Sequence, residues 1–316
     1  MNWYKPSTII LIGGLYTALT AFSAGGPKIP HPPQRAAVRT IIIDPGHGGF
    51  DTGTKGLQIA EKEVALDVGM KLGKLIEETW PDVKVVYTRT TDIMPGGGST
   101  IASGLNYRAD LANKSRGDIF IALHCDNDGH PAGPFTVRRI VGHKYVGKGK
   151  RRRRVPIYES YTGHHTRKGT ETFIWKADRA GFKGSAINER GEGEVTDSAG
   201  EAESDSLAFD MDSPEARMRA QLYEKKYFAN SALFATLVED EFSKAGRASE
   251  GVFQRDVGIR VLQATGMPSV LIEMGFLSNV EEEQYLISED GQNEVARNIM
   301  DALRRYKATL EGHATN

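Results

Sequence analysis

Four polar residues stand where a buried segment stops or a helix begins: His47, Glu61, His124 and Glu273. Ile41-Ile42-Ile43 reads as a buried strand, because β-branched residues suit a packed, pleated surface. Asp44-Pro45-Gly46-His47-Gly48-Gly49 halts it and puts His47 on a tight turn. Asp118 to Leu123 runs into His124, and Ser269-Val270-Leu271-Ile272 runs into Glu273. Two imidazoles and one carboxylate, here His47, His124 and Glu61, are the donor set of a catalytic zinc site with its fourth position left to water. Zinc brings the pKa of that water towards ~7. A second carboxylate then carries the water's proton to the leaving group, and Glu273 is placed for that work. Taken singly, each residue also has a plainer reading. His47 is then a polar turn residue, Glu61 favours the positive end of a helix, His124 closes a strand, and Glu273 pairs with Arg108 or Arg260. Histidines this far apart form no regular motif such as HExxH, so spacing alone fixes no substrate.

The elements that must position these groups follow in order. A Gly-containing loop, 51–60, leads to a helix opened by Glu61-Lys62, with Ala65, Val68, Leu72, Leu75 and Ile76 as its buried stripe. Trp80-Pro81 ends it. Val83 to Thr88 is a second strand, Leu105 to Ser115 a helix and Asp118 to Leu123 a third strand. Strand and helix alternate, which predicts an α/β layer fold with a mixed, mostly parallel sheet flanked by helices. In such a sheet the strand ends carrying His47 and His124 share one edge, beyond which ligand sites form. Further on, Gly169 to Trp175 reads as a strand. Ser213-Pro214-Glu215 starts a long helix with Met218, Leu222, Ala229, Leu233 and Leu237 on its buried side. A strand is expected near Ile259 to Gln263, then the strand ending in Glu273. Ser278 to Glu281 reads as a capping box, and a last helix runs from Glu294 to about Leu310.

Composition narrows the partners. The chain of 316 residues is 39% hydrophobic and 26% charged, with a net charge of −1. Nothing in that balance favours nucleic acid, and none is expected as a partner. The single Cys125 excludes an intrachain disulfide and a cysteine-based zinc finger. Lys5, the apolar run Ile9 to Phe22 and the small residues Ser23-Ala24-Gly25-Gly26 read as an export signal over 1–24. The run is shorter than the ~20 residues of a membrane-spanning helix; an uncleaved anchor or a buried helix is the alternative. A Pro-rich linker follows over 25–38, then a catalytic domain over 39–310 and a tail over 311–316. The stretch 129–168 is an insertion with eleven Lys/Arg and four His. It reads as a solvated loop or hairpin, since charge runs are usually exposed; the other reading is a basic arm that meets an anionic surface. The stretch 185–212 is acidic and rich in small residues, expected to be mobile or conditionally structured.

Six stretches, IIIDPGHGG, EKEVALDVGMKLGKLI, VVYTRTTD, NYRADLANKSRGDIFIALHCD, GTETFIW and MPSVLIEMGFLSNVEEEQYL, occur in that order. Together they closely resemble the zinc-dependent N-acetylmuramoyl-L-alanine amidases, over about residues 39–128 and 169–308. The resemblance implies that His47, Glu61 and His124 bind Zn2+, that Glu273 is catalytic, and that Glu63 is only a neighbour. It implies cleavage of the amide between N-acetylmuramic acid and L-alanine in peptidoglycan, in cell-wall remodelling or daughter-cell separation. The enzyme would be exported, periplasmic or cell-wall associated, with no stable membrane span after signal cleavage. Two departures stand out: HCD at 124–126, where the family often has a small residue and Asn before the strand leaves, and the long basic insertion. In some members an inserted helix blocks the zinc until an activator displaces it. Residues 185–212 lie in the corresponding place and are expected to gate the cleft through Glu189, Glu192 or Glu194, with an activator protein as partner. Two further readings stay open: a non-catalytic cell-wall binding or regulatory protein that keeps the fold, and a zinc peptidase acting within the stem peptide.

Overall fold

A computed structural model describes residues 38–175, 183, 214–255 and 259–312. The expected signal, almost all of the linker, and the segment 185–212 with its expected gating role lie outside the described residues. Six strands form one sheet in the order β2-β1-β3-β8-β6-β7. They are β1 (Thr40–Pro45), β2 (Lys84–Tyr87), β3 (Ile119–Asp126), β6 (Thr170–Ile174), β7 (Ser249–Gln254) and β8 (Ser269–Phe276). The pairs β1–β2, β1–β3 and β3–β8 are parallel. Strand β6 is antiparallel to β8 and parallel to β7. The sheet is therefore mixed and mostly parallel, as expected. The helices are α1 (Glu61–Thr79), α2 (Ile101–Lys114), α3 (Pro214–Lys244), α4 (Arg260–Ala264), α5 (Val280–Ile287) and α6 (Glu289–Leu310).

The alternation of side chains along β1 divides the core. Ile41 and Ile43 face a cluster that includes Val68 and Leu72 of α1, Phe234 and Val238 of α3, and Ile299 and Leu303 of α6. Ile42 faces the opposite cluster, with Phe120, Ala122, Ala112 of α2, and Val261 and Leu262 of α4. Both faces of β1, β3 and β8 are covered, which is why these strands read as continuous apolar runs. From β1 the chain passes through α1 to β2 on one side. It then returns through α2 to β3 on the other side of β1. The strand order thus reverses between β1 and β3, and their C-terminal ends border the crevice where such sheets bind ligands.

Several expectations need correction. Residues 260–264 are the short helix α4, and the strand lies earlier, at Ser249–Gln254. The buried side of α3 is not the one the apolar spacing indicates. Met218 and Leu222 are 65% and 63% exposed, and Ala229 is exposed. The helix instead buries Ala220, Glu224, Tyr227, Ser231, Phe234, Val238, Glu239 and Phe242, together with Leu237. The cap of α5 is Asn279, whose side chain accepts from the Glu281 and Glu282 N–H groups, rather than Ser278. Helices α2 and α6 start earlier than expected, capped by Thr100 and Ser288. The basic insertion forms an antiparallel hairpin, β4 (Phe135–Val146) with β5 (Arg153–Gly163).

Glu239 shows why α3 is rotated. Its carboxylate accepts from the hydroxyls of Thr170 (2.8 Å) and Thr172 (2.5 Å) on β6 and of Ser249 (2.6 Å) on β7. Burial pushes its pKa above the usual Glu value, and the three hydroxyl donors only partly oppose this. A carboxyl whose pKa is higher folded than unfolded binds its proton more tightly in the native state. Stability is therefore greatest below the unfolded pKa and is lost as pH rises through the folded one. Glu239→Gln is expected to remove this loss. Urea denaturation should show a smaller fall in stability from pH 4 to pH 7 in the variant than in the parent; an identical fall would discard the assignment.

Candidate metal centre

The turn after β1 carries the first ligand candidate, and its backbone is unusual. His47 has φ 58°, the left-handed region, and Gly48 and Gly49 follow with positive φ. Side chains at this conformation are strained, so something must hold it. Two buried arginines do. Arg89 donates to the carbonyls of Pro45 (3.0 Å), Gly46 (2.7 Å) and Lys62 (2.6 Å). Arg108 donates to the carbonyls of Pro45 (2.8 Å) and His47 and to the Asp44 carboxylate. Asp44 also accepts from Thr88 Oγ1 (2.5 Å). Outside the turn, Lys62 donates to the Gly49 carbonyl (3.0 Å) and to Asp92, which accepts the Gly49 N–H (2.8 Å).

This strapping brings three of the four sequence candidates together. His47 Nε2 lies 3.1 Å from Glu61 Oε1, and His124 Nδ1 lies 2.7 Å from the same oxygen. The two rings meet edge to face with centroids 4.9 Å apart. Among the described residues, His47, Glu61 and His124 are the one group of three His, Cys, Asp or Glu able to share a metal ion, with donor atoms within 4.8 Å of one another. Zinc ligands at bond lengths of ~2.0–2.1 Å in a tetrahedron stand about 3.3 Å apart, so the observed spacings suit such an ion. Asp51 Oδ2 sits 2.9 Å from His47 Nδ1, while His47 Nε2 faces Glu61. The Glu61 carboxylate is fixed by the N–H groups of Thr54 (2.7 Å) and Cys125 (3.1 Å). Glu63 is a bystander, since its carboxylate caps its own helix at the Ala60 N–H (3.0 Å).

Glycines provide the clearance, but not all of those in the turn. A Cβ at Gly46 would lie 2.5 Å from the His124 ring. One at Gly53 would lie 2.4 Å from Glu61 Oε2 and 2.6 Å from the His47 ring. Gly48 and Gly49 answer instead to the backbone of Ile93 and Met94. Electrostatics complete the cradle. Burial raises the Glu61 pKa, but its bonds to His124 and His47 outweigh that and hold it well below the carboxylate range. Burial lowers the His47 pKa, yet Glu61 and Asp51 bring it above the ordinary value. A cation binding here takes the place of protons on the imidazoles.

Glu273 lies on β8, directly beside His124 of β3 and Glu171 of β6 in register, and is buried. Its Oε1 is 3.5 Å from Arg255, and its Oε2 has no hydrogen-bond partner among the described residues. Burial pushes its pKa well above the usual range, the charges of Glu61 and Asp126 add to this, and Arg255 opposes it. Neither Arg108 nor Arg260 is its partner; they pair with Asp44 and Asn106. Asp126, the departure in HCD, turns to Arg255 at 3.5 Å and is not among the clustered donors. Arg255 itself lies over the Phe173 ring at 4.3 Å. Beside the two histidines is a cavity of about 100 Å³ with Met94, Ile101, Leu105 and Val261 in its wall. The sequence offers no role for Arg89, Asp51 or Arg255, and for Arg108 only that of a partner to Glu273. The available signal is that Arg89 and Asp51 lie within or next to the strand-end motifs.

Comparison with known proteins fits this geometry. The chain is 28% identical over 285 residues to the N-acetylmuramoyl-L-alanine amidase AmiC of Escherichia coli, covering 88% of this chain and 56% of that one. It is 26% identical over 269 residues to AmiC of Neisseria meningitidis, covering 84% and 52%. The chain thus spans about half the length of these curated relatives. The crystal structure of an N-acetylmuramoyl-L-alanine amidase from Clostridium difficile 630 shares the fold, with TM-score 0.52, 22% identity and coverage of 85% of this chain and 97% of that one. The family model described as N-acetylmuramoyl-L-alanine amidase matches residues 41–305, and the chain belongs to that family.

Proposed function

We propose that the chain is an exported zinc amidase that hydrolyses the amide between the lactyl group of N-acetylmuramic acid and L-alanine of the peptidoglycan stem peptide. The observation that carries this reading is the convergence of His47, Glu61 and His124 at the β1–β3 crevice, with Glu273 on the adjoining strand. His47, Glu61 and His124 would hold the ion; Asp51 lies against the His47 ring, and the Thr54 and Cys125 amides fix the Glu61 carboxylate. Zinc held by these residues would supply Lewis-acid chemistry, polarising the scissile carbonyl and lowering the pKa of water. Glu273 removes the proton from the attacking water and delivers it to the leaving amine of L-alanine. Its place supports the role, because it stands in register with His124 on the strand next to the ligand cluster. The apolar side chains of Met94, Ile101, Leu105 and Val261 border the same crevice. Peptidoglycan lies outside the cytoplasm, and Lys5 with the apolar run Ile9 to Phe22 supports export. No helix among the described residues is long and apolar enough to cross a membrane.

Mass spectrometry of digested peptidoglycan is expected to show whole stem peptides beginning with L-alanine and intact glycan; fragments cut within the stem would replace the amidase with a peptidase. Glu273→Gln should lower turnover by about 10²–10⁴-fold while metal analysis still finds stoichiometric zinc. Normal turnover in that variant would remove Glu273 from the mechanism. Asp51→Ala frees the His47 ring and is expected to weaken zinc binding by about 10–100-fold in a chelator competition, with unaltered affinity as the contrary result.

A further inference from the structure

The hairpin β4–β5 is the largest feature that the metal centre does not use. Over 135–163 it carries nine Lys/Arg against one acid, Glu159, a net +8 on a chain whose total is −1. Among the described residues only Arg139 has a carboxylate partner in the hairpin, Glu159 at 3.0 Å. The cations crowd the distal end, where Lys148, Lys150 and Arg151 to Arg154 form the turn and the start of β5. Apolar side chains are exposed between them. Tyr145 is 61% exposed, Tyr158 55%, Ile140 53% and Ile157 41%.

The register distributes these groups on both faces. Ile140 pairs with Tyr158 and Tyr145 with Arg154; Lys144 pairs with Val155 and Val146 with Arg153. Each face therefore mixes apolar and cationic groups towards the tip. The root, by contrast, is fixed. His165 Nδ1 lies 2.6 Å from Asp128, its Nε2 2.9 Å from the Pro131 carbonyl, and Phe135 stacks on His130 at 4.1 Å. Twelve residues of β4 at ~3.3 Å each reach about 40 Å from that root.

We propose that this hairpin docks the chain on an anionic lipid bilayer, with its distal half among the headgroups. Unpaired Lys and Arg are drawn to acidic headgroups. Tyrosine favours the boundary between headgroup and hydrocarbon. Ile140, Val141, Val146 and Ile157 decide between a bilayer and a hydrated polyanion, because only the bilayer offers apolar surface to bury them against. The inference is independent of the amidase reading, since binding is measured without substrate.

The test is co-sedimentation of the full chain with vesicles of mixed phosphatidylcholine and phosphatidylglycerol, set against pure phosphatidylcholine. The wild type should partition onto the mixed vesicles, and added salt should weaken it. Joint Arg151→Ser, Arg152→Ser, Arg153→Ser and Arg154→Ser should lower the partition by at least ~100-fold. The N-terminal apolar run is common to both chains, so the difference reports the hairpin. A Tyr145→Trp chain gives a second readout: brominated lipids should quench its emission more than that of the wild type. Equal partition of the two chains together with no added quenching would overturn the proposal, as would binding to polyphosphate or DNA without any partition to vesicles.

Discussion

The structure depends on how one turn is held. After β1 the chain leaves the sheet with carbonyls that no neighbouring strand can pair. A buried carbonyl without a donor is costly. Arg89 and Arg108 supply the donors to Pro45, Gly46 and His47, and Arg108 takes Asp44 as counterion. Burial, and next the charge of Arg108, bring the Arg89 pKa down to about 10, still protonated at neutral pH. Two guanidinium groups in one small space repel, and Asp44 with the fan of carbonyls offsets that repulsion. The reward for that desolvation is a left-handed His47 whose ring meets Glu61 and His124. A Lys in place of either arginine lacks the planar fork that spans several carbonyls at once.

This dependence also explains what the sequence reveals and what it conceals. The strands that carry His47, His124 and Glu273 are legible because they are buried on both faces and read as apolar runs that end abruptly. The residues that set the geometry are not. Arg89 and Arg108 act on backbone atoms of a turn 43 to 63 positions away, and a carbonyl leaves no trace in the sequence. The same holds for Asp51, whose partner is fixed only once His47 takes its positive φ. The clearance round the candidate site is equally hidden: Gly48 and Gly49 serve the neighbouring backbone, whereas Gly46 clears the His124 ring and Gly53, in the loop 51–60, clears the His47 ring.

The rotated face of α3 follows the same logic. A helical stripe read from apolar spacing assumes that what is buried is apolar. Here Glu239 is buried because Thr170, Thr172 and Ser249 offer hydroxyls to it, and Ser231 because its hydroxyl accepts the Ser269 N–H at 2.9 Å. Each partner lies on a strand remote in sequence or beyond a turn. Met218 and Leu222 suit the apolar pattern yet face outward. The short helix at 260–264 is hidden for a different reason. Val261 and Leu262 are compatible with a strand or a buried helical turn, and five residues are too few for either period to show.

The hairpin and the metal centre are not independent modules. Asp128, which anchors His165 at the hairpin root, donates its N–H to Ser278 Oγ at 3.3 Å, and Asp126 accepts the Leu277 N–H at 3.0 Å. Ser278 and Leu277 follow β8 directly. The hairpin therefore springs from the C-terminal ends of the two strands that carry His124 and Glu273. Its base is locked by an imidazole between a carboxylate and a carbonyl, so the arm is not joined through a free hinge. Whatever surface the tip rests on fixes the orientation of the strand edge where the ligands converge. A flexible linker would tether the chain at a surface and leave its crevice free to tumble, whereas a rooted β-ribbon constrains where the crevice points.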